Sequence, residues 1–144
     1  MRIRFIKPSQ THALRQLVLY PGRAMEDCAY PQDGMAAGFH LGVFVKDEVV
    51  AIGSFFPEKY EALKGWKQFR LRGMAVRGDH RKHGAGRRIL GFAIEHLRAQ
   101  QCDLLWCNAR EAAFEFYTRM GFTKHGELFD IPGIGAHSVM YKRI

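Results

Sequence analysis

Apolar positions recur with two different periods along the chain, and the changes of period predict an ordered series of strands and helices. Alternating or short continuous apolar runs are typical of strands, whereas apolar residues spaced three and four apart are typical of amphipathic helices. These patterns predict strands at residues 2–6, 39–45, 49–56, 66–76, 103–107, 122–130 and 137–142. They predict helices at residues 9–20 and 23–37, after the tripeptide GAG as far as Ala99, and around Phe114 up to Gly121.

Two local patterns refine the strands. The strands at residues 39–45 and 49–56 are separated by a tight turn at residues 46–48, which predicts a β-hairpin. In the strand at residues 66–76, Phe69 and Leu71 share one parity, while Met74 and Val76 have the opposite parity across Gly73. One extra residue in a strand reverses the facing of every later side chain, so this phase change predicts a β-bulge.

The element order β-α-α-β-β-β-α-β-α-β-β predicts an α/β fold with a mixed sheet. The strand, helix and strand between Trp66 and Cys107 require a right-handed crossover, so these two strands are predicted to be parallel. No linker interrupts the chain, which predicts a single domain of residues 1–144. We expect Trp66, Trp106 and the phenylalanines to form part of its core.

The positive charge of the chain is concentrated in one segment. The formal net charge is +8, and between Lys67 and Arg88 there are eight Lys and Arg residues against one acid, Asp79. Such a cluster fits a polyanionic partner, either nucleic acid or a small phosphorylated ligand, although a basic solvated face would have the same composition.

The remaining composition argues against other classes of protein. The N-terminal segment has no signal-peptide apolar region, and no apolar run approaches the roughly 20 residues of a membrane span, so we expect a cytoplasmic protein that does not enter a membrane. The three cysteines, Cys28, Cys102 and Cys107, have no C-x-x-C spacing, and the histidines show no metal-ligand spacing. We therefore expect reduced thiols and no metal.

The segment HGAG lies where a strand turns into a helix. The first turn of a helix has N–H groups without partners and a partial positive charge, and small residues such as Gly84 and Gly86 let an anion approach that backbone. Neither G-x-x-x-x-G-K-[ST] nor G-x-G-x-x-G is present, since Ile89 stands at the last glycine position. The glycines therefore indicate either a phosphate site of another type or a tight turn packed against the sheet.

The surrounding sequence, MAVRGDHRKHGAGRRIL, resembles the acyl-coenzyme A binding segment of the GNAT superfamily of N-acetyltransferases. That segment is a strand followed by R/Q-x-x-G-x-G/A and a helix, and Arg81, Gly84 and Gly86 occupy its three defined positions. Farther along, NAREAAFEFYTRMGF resembles the second conserved block of the family. Its Ala, Tyr and Gly-Phe positions are matched by Ala113, Tyr117, and Gly121 with Phe122.

The resemblance covers residues 69–144, and the first 65 residues match only in element order. Gly78 stands where many members have proline, and Arg110 stands where many have asparagine. The resemblance implies a GNAT fold and acetyl-coenzyme A as cosubstrate. It implies that the pantetheine arm bonds to the bulged strand and that the pyrophosphate lies on the amides after Arg81. The implied cofactor-binding residues are Met74, Ala75, Val76, Arg81, Lys82, His83, Gly84, Ala85, Gly86, Arg87, Asn108 and Tyr117.

Three of these positions carry further expectations. The charges of Arg81, Lys82, Arg87 and Arg88 are available for the phosphates, although the sequence does not show which of them point inward. Asn108 follows the buried strand, where it either bonds the cofactor or a water molecule or caps the next helix through an Asx turn. Tyr117 is expected to protonate or hydrogen-bond the departing thiolate, and its alternative role is packing on an apolar helix face.

An attacking amine needs a group that accepts its proton. We take Glu127 and His137 as the catalytic candidates, with Glu58, Glu61 and Asp130 as further carboxylates on strand ends and loops that would border the acceptor side. His137 adjoins the turn PGIG and is expected to be polar and reachable; its alternative is a hydrogen bond at a strand start.

These features predict an N-acetyltransferase that moves an acetyl group from acetyl-coenzyme A to a primary amine by direct attack in a ternary complex. The acceptor is a small-molecule or peptide amine, and a protein N-terminus, lysine, polyamine, aminoglycoside or metabolite all remain open. We expect neither a nucleic-acid nor a membrane partner, and a homodimer is left open. The alternatives are a basic nucleic-acid-binding protein and a noncatalytic acyl-coenzyme A sensor.

Overall fold

Seven strands form one mixed sheet. The computed structural model describes residues 1–144. The strands are β1 (Arg2–Ile6), β2 (Phe39–Val45), β3 (Glu48–Pro57), β4 (Gln68–Val76), β5 (Leu104–Arg110), β6 (Thr123–Ile131) and β7 (Gly135–Arg143). Their order across the sheet is β1-β2-β3-β4-β5-β7-β6. The pair β4 and β5 is parallel, as predicted, and all other neighbouring pairs are antiparallel.

The predicted helix at residues 9–20 is irregular. It consists of a 3₁₀ turn (Pro8–Thr11), a single α-helical turn α1 (His12–Leu14) and a π-helical stretch (Arg15–Leu19). The π geometry is closed by the Tyr20 N–H, which donates to the Arg15 carbonyl at 2.9 Å. Single π turns are rare in helices and occur frequently at functional sites.

The prediction of a helical segment at residues 23–37 is largely wrong. Only two 3₁₀ turns form there, Met25–Cys28 and Pro31–Gly34. Tyr30 between them is extended, with φ −100° and ψ 145°, because a residue that precedes proline is disfavoured in the α conformation. This stretch is held by tertiary contacts rather than by helical hydrogen bonds.

The later helices agree closely with the sequence prediction. Helix α2 (Ala85–Ala99) follows the GAG turn, and α3 (Phe114–Arg119) follows a 3₁₀ turn at Glu111–Ala113. Gly121, two residues after the last residue of α3, has a left-handed φ of +91° and stops the helix from continuing. The N–H groups of Gly121 and Phe122 donate to the carbonyls of Thr118 and Tyr117, which is the Schellman arrangement for a helix end.

The predicted hairpin and bulge are both present. Strands β2 and β3 are joined by Lys46 and Asp47, both with positive φ, so β3 begins one residue earlier than predicted. On β4 the two residues between Arg72 and Ala75 lie opposite a single residue of β3, Gly53, and Gly73 has a φ of +67°. Glycine adopts this left-handed conformation at little cost, and it supplies the extra residue of the bulge.

Strands β4 and β5 separate beyond the bulge. Their parallel register ends at the pair Leu71 and Cys107, although β4 continues to Val76 and β5 to Arg110. The two strand ends therefore border a gap in the sheet, which we call the β4–β5 gap. Helices α2 and α3 cover one sheet face over the main core cluster, and the helical segment at residues 8–19 packs on the opposite face around Leu14 and Ala75.

Some aromatic residues expected in the core are exposed. Trp66 lies before β4 begins and is 96% exposed, because its backbone N–H is held by Asp103 while the indole points outward. Phe5, Phe92 and Phe129 also have exposed side chains, whereas Trp106 is buried. The three cysteines are buried and unpaired. None of the helices has the length and apolar character needed to cross a membrane.

Candidate active site

The loop that enters α2 offers backbone donors that the chain does not use. None of the N–H groups from Lys82 to Arg87 donates to a backbone carbonyl, and the first helical bond runs from the Arg88 N–H to the Gly84 carbonyl at 3.0 Å. Lys82 and Gly84 have positive φ, which alternates the direction of the peptide groups. Successive N–H groups in such a turn form an anion-binding concavity. A Cβ added to Gly84 would have no neighbour within 4 Å, so the concavity is open.

Positive charge without counterions surrounds this loop. Arg81, Lys82, Arg87 and Arg88 are exposed, and none of them forms an ion pair. By contrast, nearby Arg77 is held by Glu48 and Asp79. The charge and the unpartnered N–H groups together make the start of α2 a candidate phosphate site.

Gly86 has a different role from Gly84. A Cβ on Gly86 would lie 3.1 Å from Cζ of Phe116 and 3.8 Å from Cγ2 of Val76. The missing side chain therefore lets α3 and the end of β4 pack directly against the first turn of α2. This contact brings the phosphate loop, β4 and α3 together at one side of the β4–β5 gap.

The predicted pantetheine-binding residues lie along this gap. Ala75 and Val76 pair with β3, and the other edge of that part of β4 has no strand partner. Asn108 is the first residue of β5 beyond the last parallel pair and is half-buried. No side chain caps the helical turn that follows, at Glu111–Ala113. The hydrogen bond that the alternative role of Asn108 as a cap would require is therefore not formed.

Tyr117 lies at the closed end of the gap. It is only 5% exposed, and its ring packs between Phe116 and Phe122 at centroid distances of 5.1 and 5.3 Å. Burial, with Cys107 beside it, raises the pKa of Tyr117 well above its ordinary value. Burial also raises the pKa of the Cys107 thiol to about 12. Both groups therefore hold their protons at neutral pH.

His137 is buried, contrary to the expectation of a readily reachable side chain, and its residue is only 4% exposed. Its Nδ1 lies 2.7 Å from the Gly135 carbonyl oxygen, which can only accept, so Nδ1 carries the proton and the lone pair is on Nε2. Nε2 has no hydrogen-bond partner, and it is not fully enclosed by the protein. His137 lies directly opposite Arg110 of β5.

The carboxylate candidates are placed less favourably. Glu127 and Asp130 are exposed on β6, which β7 separates from β5, and Glu61 is exposed on a loop. Glu58 is half-buried, but its carboxylate is bound by Arg70 at 3.1 Å. The structure therefore brings His137 next to the strands of the gap and does not bring Glu127 or Asp130 there.

A buried polar cluster behind the bulge escaped the sequence analysis. Arg15 is fully buried and binds both carboxylate oxygens of Asp33 at 2.8 and 2.9 Å and Ser54 at 2.9 Å. The Tyr30 ring lies between the guanidinium groups of Arg15 and Arg72, at 3.7 and 3.8 Å. The signal in the sequence was an arginine next to the apolar Leu14, on the buried side of the predicted helix.

No group of three or more His, Cys, Asp or Glu side chains is arranged so as to hold a metal ion. The candidate site thus consists of a basic helix start with unpartnered N–H groups, a gap between two parallel strands, a buried phenol and a histidine. This arrangement fits the phosphorylated cosubstrate that the resemblance to the GNAT superfamily implies, with the unpaired edge of β4 available to it.

Comparison with known proteins agrees with this geometry. Residues 10–122 match the model of the acetyltransferase (GNAT) family. The chain is 36% identical over 144 residues to the uncharacterized N-acetyltransferase YitI of Bacillus subtilis, covering 100% of this chain and 97% of the relative.

Two solved structures share the fold at lower identity. A putative N-acetyltransferase from Lactobacillus plantarum superposes with a TM-score of 0.79 at 18% identity, covering 99% of each chain. An aminoglycoside 6'-N-acetyltransferase complexed with coenzyme A superposes with a TM-score of 0.74 at 14% identity, covering 99% of this chain and 97% of that one. The chain belongs to the GNAT family of acetyltransferases, and acetyl transfer from acetyl-coenzyme A to an amine is its reaction class.

Proposed function

We propose that the acceptor amine attacks the thioester directly in the β4–β5 gap, with His137 accepting the amine proton and Tyr117 hydrogen-bonding the departing sulfur. The observation that carries this proposal is that the gap is bordered by the start of α2 with its unpartnered N–H groups, by Tyr117 beside Cys107, and by His137 opposite Arg110. The two helices α2 and α3 close one face of the gap, so the amine has to approach from the other.

The residues at the gap fit acetyl-coenzyme A, which supplies the acetyl thioester when bound. The amides of Lys82 to Arg87 would hold the pyrophosphate, and Arg81, Arg87 and Arg88 supply uncompensated charge. The unpaired edge of β4 from Met74 to Val76 and the Asn108 side chain are available to the pantetheine arm.

The acceptor amine must lose a proton to a base before or during its attack on the thioester. A lysine-like amine has a pKa of about 10.4, so freeing it at pH 7 costs about 4.6 kcal/mol. The neutral tautomer of His137, fixed by its Nδ1–H bond to Gly135, presents Nε2 as an acceptor for that proton.

Tyr117 serves the other end of the reaction as a hydrogen-bond donor. The ordinary pKa of a phenol, about 10, already exceeds that of a thiol, about 8.5, and burial raises the pKa of Tyr117 further. Complete transfer of its proton to the thiolate is therefore uphill. A preorganised donor stabilises the charge that develops on sulfur without giving up its proton.

A cytoplasmic location stays part of the proposal. Three buried free cysteines in a single small domain are typical of a reducing compartment.

Coenzyme A binding separates this proposal from the nucleic-acid alternative. We expect coenzyme A to raise the melting temperature and mixed RNA to bind weakly, with an affinity that falls steeply with salt. Submicromolar RNA affinity at physiological salt without protection by coenzyme A would favour the alternative.

Catalysis is tested by a panel of amines, assayed for release of the free thiol from acetyl-coenzyme A. We expect at least one amine to accelerate release. Protection by coenzyme A with no release for any amine would instead indicate a noncatalytic sensor.

A further inference from the structure

Two arginines flank the β4–β5 gap on the face from which the amine approaches. Arg72 is the first residue of β4 beyond its last pair with β5, and Arg110 is the last residue of β5. Side chains alternate along a strand, and Leu71 and Cys107 point into the core under α2. Arg72 and Arg110 therefore point to the opposite, open face, and both are half-buried.

A pair of tyrosines connects the two arginines. The guanidinium carbon of Arg72 lies 3.8 Å from the Tyr30 ring centroid, and that of Arg110 lies 5.6 Å from the Tyr20 ring centroid. The two tyrosine hydroxyls are 2.8 Å apart. Arg72 and Arg110 thus lie at the two ends of one pair of tyrosines. Tyr30 of this pair packs against Gly73 in the bulge of β4.

Neither arginine has a counterion. The side chain of Arg72 donates to the neutral amide oxygen of Gln32 at 3.0 Å, and that of Arg110 donates to the Leu19 carbonyl at 2.8 Å. A guanidinium group has several further N–H donors. One neutral acceptor and one aromatic ring replace only part of the solvation that a half-buried cation without a carboxylate loses.

The two half-buried acids near these arginines are already bound to other arginines. Asp33 is held by Arg15, and Glu58 is held by Arg70 at 3.1 Å. A third cation, Arg23, lies 4.0 Å from the Tyr20 ring centroid and forms no ion pair. The acceptor side of the gap therefore carries an excess of positive charge that a bound anion would neutralise.

We infer that the acceptor is an amine that also carries a carboxylate or a comparable anionic group, bound by Arg72 and Arg110. This inference rests on the proposed function and specifies its substrate class. Guanidinium groups bind planar carboxylates through paired hydrogen bonds, which would fix the acceptor while its amine faces the gap. The same charges repel polyamines and aminoglycosides, whose additional groups are cationic.

The first test uses the unaltered protein and three amines of equal chain length: 5-aminopentanoate, pentylamine and 1,5-diaminopentane. A second, α-amino series compares alanine with alaninamide. We expect a carboxylate amine to exceed its neutral partner by about tenfold or more in kcat/KM per free amine, with the diamine slowest. Equal or faster reaction of the neutral or dicationic amines in both series would overturn the inference and leave the proposed acetyl transfer intact. No thiol release with any amine would overturn both.

Variants then assign the binding to the two arginines. We expect Arg72→Gln and Arg110→Gln to lose about 10–100-fold in kcat/KM for the preferred carboxylate amine, mainly through KM, and less than about threefold for its neutral partner. Arg98→Gln, which removes an exposed charge from α2, is the matched control.

A binding readout keeps the test independent of turnover. With coenzyme A present, the preferred carboxylate amine should raise the melting temperature of the unaltered protein and of Arg98→Gln, but not of the two gap variants. Retained protection by coenzyme A alone shows that a variant is folded. Equal kinetic losses for the carboxylate and neutral amines would mean that the arginines only support the structure, which overturns the assignment.

Discussion

At the scale of single residues, removing the hydroxyl of Tyr117 separates the chemical role that we propose for this residue from its role in packing. Tyr117→Phe keeps the ring between Phe116 and Phe122 and removes only the hydroxyl that we propose as the donor to the sulfur. We expect kcat to fall by about 10²–10³-fold, because one preorganised donor to the leaving sulfur is lost, with little change in coenzyme A affinity.

The matched control is Tyr141→Phe. Tyr141 pairs with Trp106 toward the closed part of the sheet, so its hydroxyl lies outside the gap. Steady-state kinetics and calorimetry with coenzyme A check both variants. A near-normal kcat in Tyr117→Phe would leave that residue with packing alone.

His137 is expected to determine the acidic limb of the pH profile. A general base acts only in its unprotonated form, so it gives the profile of kcat/KM against pH an acidic limb. His137→Gln removes the Nε2 lone pair and should abolish that limb together with most of the activity. If the limb persists in His137→Gln and disappears in Glu127→Gln, the exposed carboxylate on β6 is the base instead.

The sequence motifs predict a phosphate loop at the start of α2, but not the separate roles of its glycines. Both Gly84 and Gly86 were expected to admit an anion, and only Gly84 has open space around it. The space beside the Cα of Gly86 is occupied by the ring of Phe116, which lies thirty positions later in the chain. A local motif therefore predicts which backbone positions lack side chains. Whether a ligand or another part of the chain packs against such a position depends on tertiary contacts.

At the scale of elements, the bulge on β4 requires a glycine for two independent reasons. Gly73 has a φ of +67°, and an added Cβ would lie 3.0 Å from the Tyr30 hydroxyl. Gly73→Ala should therefore reduce the free energy of unfolding by at least about 2 kcal/mol. Urea denaturation measures the change.

Gly91 provides the opposite expectation within the same protein. It lies on the exposed side of α2, and an added Cβ would meet nothing within 4 Å. Gly91→Ala should raise the free energy of unfolding by about 0.5–1 kcal/mol, because alanine loses less backbone entropy in a helix. A loss of stability in Gly91→Ala, or none in Gly73→Ala, would contradict this account of the two glycines.

The elements with strong local signals were predicted correctly, and those held by distant contacts were not. The hairpin, the bulge and α2 follow from turn residues, parity and apolar spacing. Residues 23–37 depend on Arg15, which binds the Cys28 carbonyl and the Asp33 carboxylate. No periodicity records these contacts, so the segment could not be distinguished from a helix.

At the scale of the whole molecule, the basic segment from Lys67 to Arg88 is divided into separate environments. Strand alternation turns Arg70 and Arg72 toward the acceptor face, and Glu58 and Glu48, distant in sequence, bind Arg70 and Arg77. The charge that remains free lies at the start of α2 and beside the gap. Composition alone predicts an anionic ligand, whereas the fold divides the uncompensated positive charge between two places rather than spreading it over one surface.

The pair of Arg15 and Asp33 connects the N-terminal helical segment, the 3₁₀ turns and β3, so its ionisation should affect the stability of the whole molecule. Burial alone would raise the pKa of Asp33, but hydrogen bonds from Arg15 and the Tyr30 N–H outweigh it and lower that pKa. A carboxyl with a lowered pKa stabilises the fold above its unfolded pKa, about 3.9, and loses this contribution as pH falls toward the folded value.

Asp33→Asn should therefore reduce the free energy of unfolding by about 3–5 kcal/mol at pH 7, because it leaves the fully buried Arg15 without a counterion. The difference from the unaltered protein should narrow as pH falls below about 4, where Asp33 begins to be protonated in the unfolded chain. Denaturation at a series of pH values measures both effects. Asp27→Asn, at an exposed position of the preceding turn, should show neither. A constant difference between Asp33→Asn and the unaltered protein down to pH 2 would show that the aspartate contributes through shape and hydrogen bonding rather than through its charge.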